Sequence, residues 1–191
     1  MPSSSGPAEL LADLAAALAA LYLPWYVFGA QAALIWGRPR LTTDVDVTVR
    51  LGDLDASALV AALGEHGFAL RVAATPAFVR QTRVLPLQHD RSGLALDLVL
   101  AGPGLEDLFL ERSVPVDVAG VTVPLISAED LIVTKILAGR AKDLEDVRGV
   151  LAERGERLRV DQIRRTLTML EEALGQSGLL RLFETELTRR G

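Results

Sequence analysis

Two aspartates stand two positions apart in the run Thr43-Asp44-Val45-Asp46-Val47, and this is the part of the 191-residue chain best suited to chemistry. In an extended strand, residues two apart leave the same face, so both carboxylates project together while Val45 and Val47 turn toward a core. Carboxylates held a few ångströms apart repel one another unless a cation sits between them, and a divalent metal is the economical partner. A third acid, Asp97, interrupts the apolar run Leu94-Ala95-Leu96-Asp97-Leu98-Val99-Leu100. An ionised carboxylate on a central strand costs several kcal/mol, on the order of the penalty for an unpaired buried ion, unless it meets a partner. Two readings of Asp97 follow: a metal ligand, or an edge position paired with an arginine. Likewise, an isolated Asp-x-Asp in a strand is commonly a solvated edge. Three acids on adjacent strands would instead form an oxygen cradle for Mg²⁺.

The surrounding sequence supplies the elements such a cradle needs. Trp25 to Phe28 is short, aromatic and β-branched and reads as a buried strand, and Gly29 turns it into the alanine-rich helix Ala30 to Trp36. Gly37 to Thr42 is a turn containing Pro39, and Asp44 to Arg50 alternates as a strand. Upstream, Met1 to Pro7 reads as a tail and Glu9 to Leu21 as a helix that ends before Pro24. Downstream, Ser57 to His66 reads as a helix, and Val84 to His89 and Leu94 to Leu100 as a hairpin. Glu106 to Arg112 is a short helix, and Val114 to Val118 and Val121 to Leu125 flank an Ala-Gly turn. Ser127 caps a helix that runs to about Leu137 and stops at Gly139; beyond Ala141 the chain is helical, broken near Gly155 and at Gly175 to Gly178. The fold class is therefore α+β, a mixed sheet flanked by helices. It divides into a core over residues 1–125 and a helical part over 126–191, expected to pack as one compact unit.

Composition narrows the function. Half the residues are hydrophobic and 24% are charged, so a packed interior is expected. The formal charge of −5 argues against a protein built to coat nucleic acid or anionic lipid. The absence of cysteine removes disulfides, thiol nucleophiles and Cys-ligated metals. The start of the chain carries no secretory pattern, which agrees with a cytoplasmic setting. Leu14 to Gly37 is uncharged and long enough to span a bilayer, but Pro24, Gly29 and Gln31 break it, and a helix, a strand and a second helix in succession is the reading adopted.

The segment from Val27 through Gly29-Ala30, Arg40 and Thr43 to Asp44-Val45-Asp46-Val47 resembles the signature of the polymerase-β-like nucleotidyltransferase superfamily. There a strand, a small-residue turn and a helix precede a metal-binding Asp-x-Asp, and a later strand adds a third Asp. The stretch Ile126 to Asp146 is similar to the second half of the bacterial branch, which includes abortive-infection type toxins and small antibiotic-modifying enzymes; together the two segments span Trp25 to Leu151. The resemblance implies a nucleotidyltransferase fold and transfer of a nucleoside monophosphate from an NTP to a hydroxyl or phosphate acceptor, with release of pyrophosphate. Asp44, Asp46 and Asp97 would be the catalytic residues and the ligands of two Mg²⁺ ions. Gly29, Ala30, Arg40, Thr43, Lys135, Lys142 and Asp143 would contact the nucleotide, and the acceptor would be a tRNA, a protein hydroxyl or a small molecule. One departure matters: the family carries Gly-Gly or Gly-Ser where this chain has Gly29-Ala30. It motivates a competing reading, a catalytically silent nucleotide-binding relative or one half of a toxin–antitoxin pair.

Lysine usage agrees with the second segment. The chain has two lysines, Lys135 and Lys142, against eighteen arginines, and a compact ammonium suits a phosphate, with chance clustering as the alternative. Their seven-residue spacing gives one helical face only if the helix survives Gly139. His66 and His89 fit no metal or catalytic pattern. Arg154, Arg157, Arg159, Arg164 and Arg165 read as a solvated helix face, with contact to an anionic acceptor as the alternative.

Overall fold

The computed structural model describes residues 6–38, 44–72 and 76–189, in two units. One unit holds 6–31 and 44–126, and the other holds 32–38 and 127–189. Residues 32–38 group with the helical part although they lie before the acidic strand.

The first unit is built on a seven-stranded sheet of order β3-β4-β5-β2-β1-β7-β6. Its strands are β1 (Trp25–Phe28), β2 (Asp44–Val49), β3 (Phe68–Leu70), β4 (Val84–His89), β5 (Ala95–Leu100), β6 (Val114–Val118) and β7 (Val121–Leu125). β2 runs antiparallel to β1 and parallel to β5, so the strand with two acids lies beside the strand with one. Alternation decides which of their side chains reach the core. Val45, Val47 and Val49 of β2 and Leu96 and Leu98 of β5 are fully buried, which leaves the intervening residues on the opposite face. Helices α1 (Gly6–Ala20) and α3 (Ala56–Gly64) touch each other and pack on β7 and β3, burying Leu10, Leu14, Leu18, Leu59 and Leu63. The side chain of Asp55 caps α3 by accepting from the Ala58 N–H at 2.8 Å. His89 is wholly buried at the end of β4, with Nε2 2.9 Å from an Asp13 oxygen on α1 and Nδ1 2.8 Å from Ser92 Oγ. It is a satisfied internal side chain that ties a helix to a hairpin turn.

Three differences from the sequence reading have simple causes. α1 takes in Gly6 and Pro7, because proline is tolerated in a first helical turn. β3 has only three residues and an exposed end, so it carries no readable alternation. The seven-residue α4 (Pro76–Thr82) buries none of its residues and so has no apolar stripe to find. The short α5 (Leu105–Arg112) lies where expected.

In the second unit, α6 (Ala128–Ala138) starts at the Ser127 cap, whose Oγ accepts from the Asp130 N–H at 3.1 Å, and stops at Gly139 in the left-handed region. The chain then turns into α7 (Ala141–Arg154), a short 3₁₀ turn, α8 (Val160–Leu174) and α9 (Leu179–Thr188). Ile132, Ile136, Val147, Leu151, Ile163, Leu167 and Phe183 form its core. The end of α2 (Gly29–Trp36) joins this unit through a close backbone approach: a Cβ on Gly37 would lie 3.0 Å from the Val150 nitrogen. Arg154 fixes the same place, with its guanidinium 4.5 Å from the centre of the Trp36 ring and its Nη2 donating to the Ile35 carbonyl at 3.0 Å. Among the described residues, no helix is long and apolar enough to cross a membrane.

Candidate active site

The parallel register places Asp46 opposite Asp97, with Asp44 opposite Ala95 one step along the same face. One carboxylate oxygen from each of Asp44, Asp46 and Asp97 lies within 4.8 Å of the other two. All three residues are part-buried: anchored by the buried valines and leucines between them, yet accessible from solvent. The backbone beside them is shaped for Asp46. Phe28 pairs with Asp46 across β1 and β2, so the next residue, Gly29, passes directly against that carboxylate. A Cβ on Gly29 would lie 1.9 Å from Asp46 Oδ2, and Gly29 has φ +63°, where side chains are strained in any case. The glycine thus serves twice, turning β1 into α2 and vacating the space that Asp46 fills.

The Asp97 carboxylate also accepts a hydrogen bond from Arg71. Arg71 follows β3, and its N–H donates to the Pro86 carbonyl at 2.9 Å; Pro86 is in turn the register partner of Asp97. Sequence reasoning missed this arginine because β3 itself was not legible. Three carboxylates at this spacing form an all-oxygen donor set, the kind preferred by hard divalent cations, and Mg²⁺ or Mn²⁺ fits it by charge and ligand type.

Of the expected nucleotide contacts, Gly29 and Ala30 form the first turn of α2, where backbone N–H groups are not consumed by the helix and can accept an anion. Ala30 is buried. Arg40 and Thr43 lie outside the described residues. Lys135 and Asp143 are in the second unit and are bound to each other: the buried ammonium is 3.0 Å from Asp143 and 2.7 Å from Asp146. Lys142 is exposed, and Gly139 separates it from Lys135 onto a different helix, so the seven-residue spacing gives no shared face. Burial alone would raise the pKa of Asp143, but hydrogen bonds from Arg140 and Lys135 outweigh it and hold the carboxyl below its ordinary value. Glu129 is likewise penalised by burial and nevertheless lowered, by the Arg159 N–H and guanidinium. The basic cluster is largely occupied within its own unit: Arg154 on α2, Arg159 on Glu129, and Arg164 on Asp161 and Glu184.

A model of the nucleotidyltransferase family of unknown function DUF6036 matches residues 20–167. The chain belongs to that nucleotidyltransferase family. The match takes in the Gly29 turn and all three acids. Solved structures agree on the fold. The antibiotic-resistance factor ANT(2'')-Ia is 18% identical, with TM-score 0.58, over 90% of this chain and 96% of its own. An antigenic nucleotidyltransferase-like protein from Paracoccidioides brasiliensis is 16% identical, with TM-score 0.55, over 95% and 93%. The lincosamide antibiotic adenylyltransferase LnuA, bound to lincomycin, is 15% identical, with TM-score 0.50, over 74% and 94%. No curated protein matches the sequence.

Proposed function

We propose that this DUF6036 nucleotidyltransferase moves a nucleoside monophosphate from an NTP to a hydroxyl group on a small molecule, with Mg²⁺ at Asp44, Asp46 and Asp97. The observation that carries the reading is the convergence of one oxygen from each of these aspartates within 4.8 Å, on a face that Gly29 leaves open. A bound divalent ion would supply charge neutralisation at the phosphates and a lowered pKa at the attacking hydroxyl. Asp44 and Asp46 would hold that ion, and the N–H groups opening α2 donate to a phosphate oxygen. Asp97 accepts the proton of the acceptor hydroxyl. The acceptor oxygen bonds to the α-phosphorus, the bond from that phosphorus to the bridging oxygen breaks, and pyrophosphate leaves with its electron pair. A small-molecule acceptor is favoured by the fold neighbours, one of which has been seen with adenylyl-2''-tobramycin and another with lincomycin. We also assign Arg40 and Thr43 to the donor phosphates. For Lys135, Lys142 and Asp143 we propose an indirect part, in shaping the helical unit, because Lys135 and Asp143 already satisfy each other.

Thermal stability of the wild type, Asp44→Asn and Asp46→Asn, with each NTP and with or without Mg²⁺, tests the reading. A ligand that binds only the folded state raises Tm according to its affinity. The expected result is a shift that requires the metal, one or more NTPs and both aspartates, followed by labelled product with an aminoglycoside or lincosamide among the acceptors. Equal shifts in wild type and both variants would remove the acids from the site.

A further inference from the structure

We infer that Arg71 is an exchangeable stand-in for the divalent cation at Asp97, and therefore a positioning residue that sets metal affinity. The inference rests on the metal reading above. Its own support is the pairing of the Arg71 guanidinium with Asp97, the acid that lies in register with Asp46. The same carboxylate is therefore a member of the metal cradle and the partner of a protein cation. A guanidinium and a divalent ion on one carboxylate repel each other at short range, so occupancy by one weakens the other. Exchange is sterically open, because the side chains of Arg71 and Asp97 keep 33% and 36% of their exposure. The Arg71 backbone stays fixed during such a swap through its bond to the Pro86 carbonyl, so only the long side chain has to move. The arginine holds the Asp97 carboxylate in place while no metal is bound and gives it up on loading. The buried Lys135 between its two carboxylates differs, since its side chain retains only 9% exposure.

Manganese titration monitored by the electron paramagnetic resonance of free Mn²⁺, without nucleotide, tests this on the full chain. Arg71→Gln is expected to bind Mn²⁺ more tightly than wild type by about 2- to 5-fold, the range implied by a part-exposed ion pair. Arg71→Lys retains the competing charge and is expected to stay close to wild type, which a purely structural role for the guanidinium would not produce. Asp46→Asn serves as the reference for loss of the site. Mn²⁺ binding by Arg71→Gln that equals or falls below wild type, while Asp46→Asn still weakens it, overturns the role of Arg71 and leaves the metal site standing. A wild-type chain that binds no Mn²⁺ overturns the metal reading and this inference together.

Discussion

The molecule gathers carboxylates twice, and the two gatherings differ in what neutralises them. In the helical unit, Asp143 and Asp146 close on Lys135, a cation fixed to the chain and buried with them. In the sheet unit, Asp44, Asp46 and Asp97 converge on a part-buried face of the central strands, and the arginine that reaches Asp97 keeps a third of its exposure. The first arrangement is permanent because the ammonium is buried with the acids it neutralises, and removing one member of a buried ion pair is costly. The second can change partner. Burial of the counter-ion, more than the number of acids, distinguishes the two clusters.

Asp46→Asn is expected to break the sheet site most severely. On the proposed function, loss of this carboxylate removes several kcal/mol of transition-state stabilisation, about a thousandfold in kcat/KM, with an unchanged melting curve in the absence of ligand. A drop in ligand-free Tm comparable to that of a core variant would erase the distinction between the two clusters. Lys135→Met should do the reverse, lowering the unfolding free energy by about 3 kcal/mol, the low end of the cost of breaking a buried ion pair because Asp143 keeps Arg140, as measured by urea denaturation. Mn²⁺ binding of the surviving folded protein is expected to match wild type.

Gly29→Ala sharpens the comparison from the backbone side. The added methyl meets Asp46 Oδ2 at 1.9 Å and must adopt φ near +63°, a strain worth about 1–3 kcal/mol. Weakened Mn²⁺ binding should accompany it, and unaltered Mn²⁺ affinity would show that Asp46 can move aside at no cost to the site.

Acid pH probes the helical cluster with the smallest effect. Hydrogen bonds from Arg148 hold Glu186 below its ordinary carboxyl value of 4.5, and Glu129 and Asp143 are lowered by their own partners against the cost of burial. A lowered folded-state pKa contributes stability that is fully present above the unfolded value and is lost as pH falls through the folded one. For these groups Tm should hold as pH descends toward the ordinary values of 4.5 and 3.8, and decline below them. Glu186→Gln should make that decline shallower; an identical pH profile in that variant would take Glu186 out of the account.

Most of the sheet and all of the acidic motif were legible because they obey short-range rules. The alternation of β2 and β5, the Gly29 turn, the Ser127 cap and the Gly139 stop each act within a few residues of their own position. β3 and α4 escaped notice because an edge strand of three residues and an exposed helix of seven carry no periodic burial to read. Arg71 escaped with them, since its significance lies in a partner 26 positions away. Lys135 was recognised as unusual from composition alone, but its partners depended on how α6 and α7 pack.

The sequence by itself determined that two acids share a strand face, that a third interrupts a buried strand, and that a glycine turn precedes them. Period-two alternation and the steric freedom of glycine are local properties. Only the tertiary structure decided that Asp97 lies in register with Asp46, that Gly29 touches the Asp46 carboxylate, and that Arg71 reaches the same site. Strand order and register depend on how the whole apolar face of the sheet is buried, and that is a property of the assembled core.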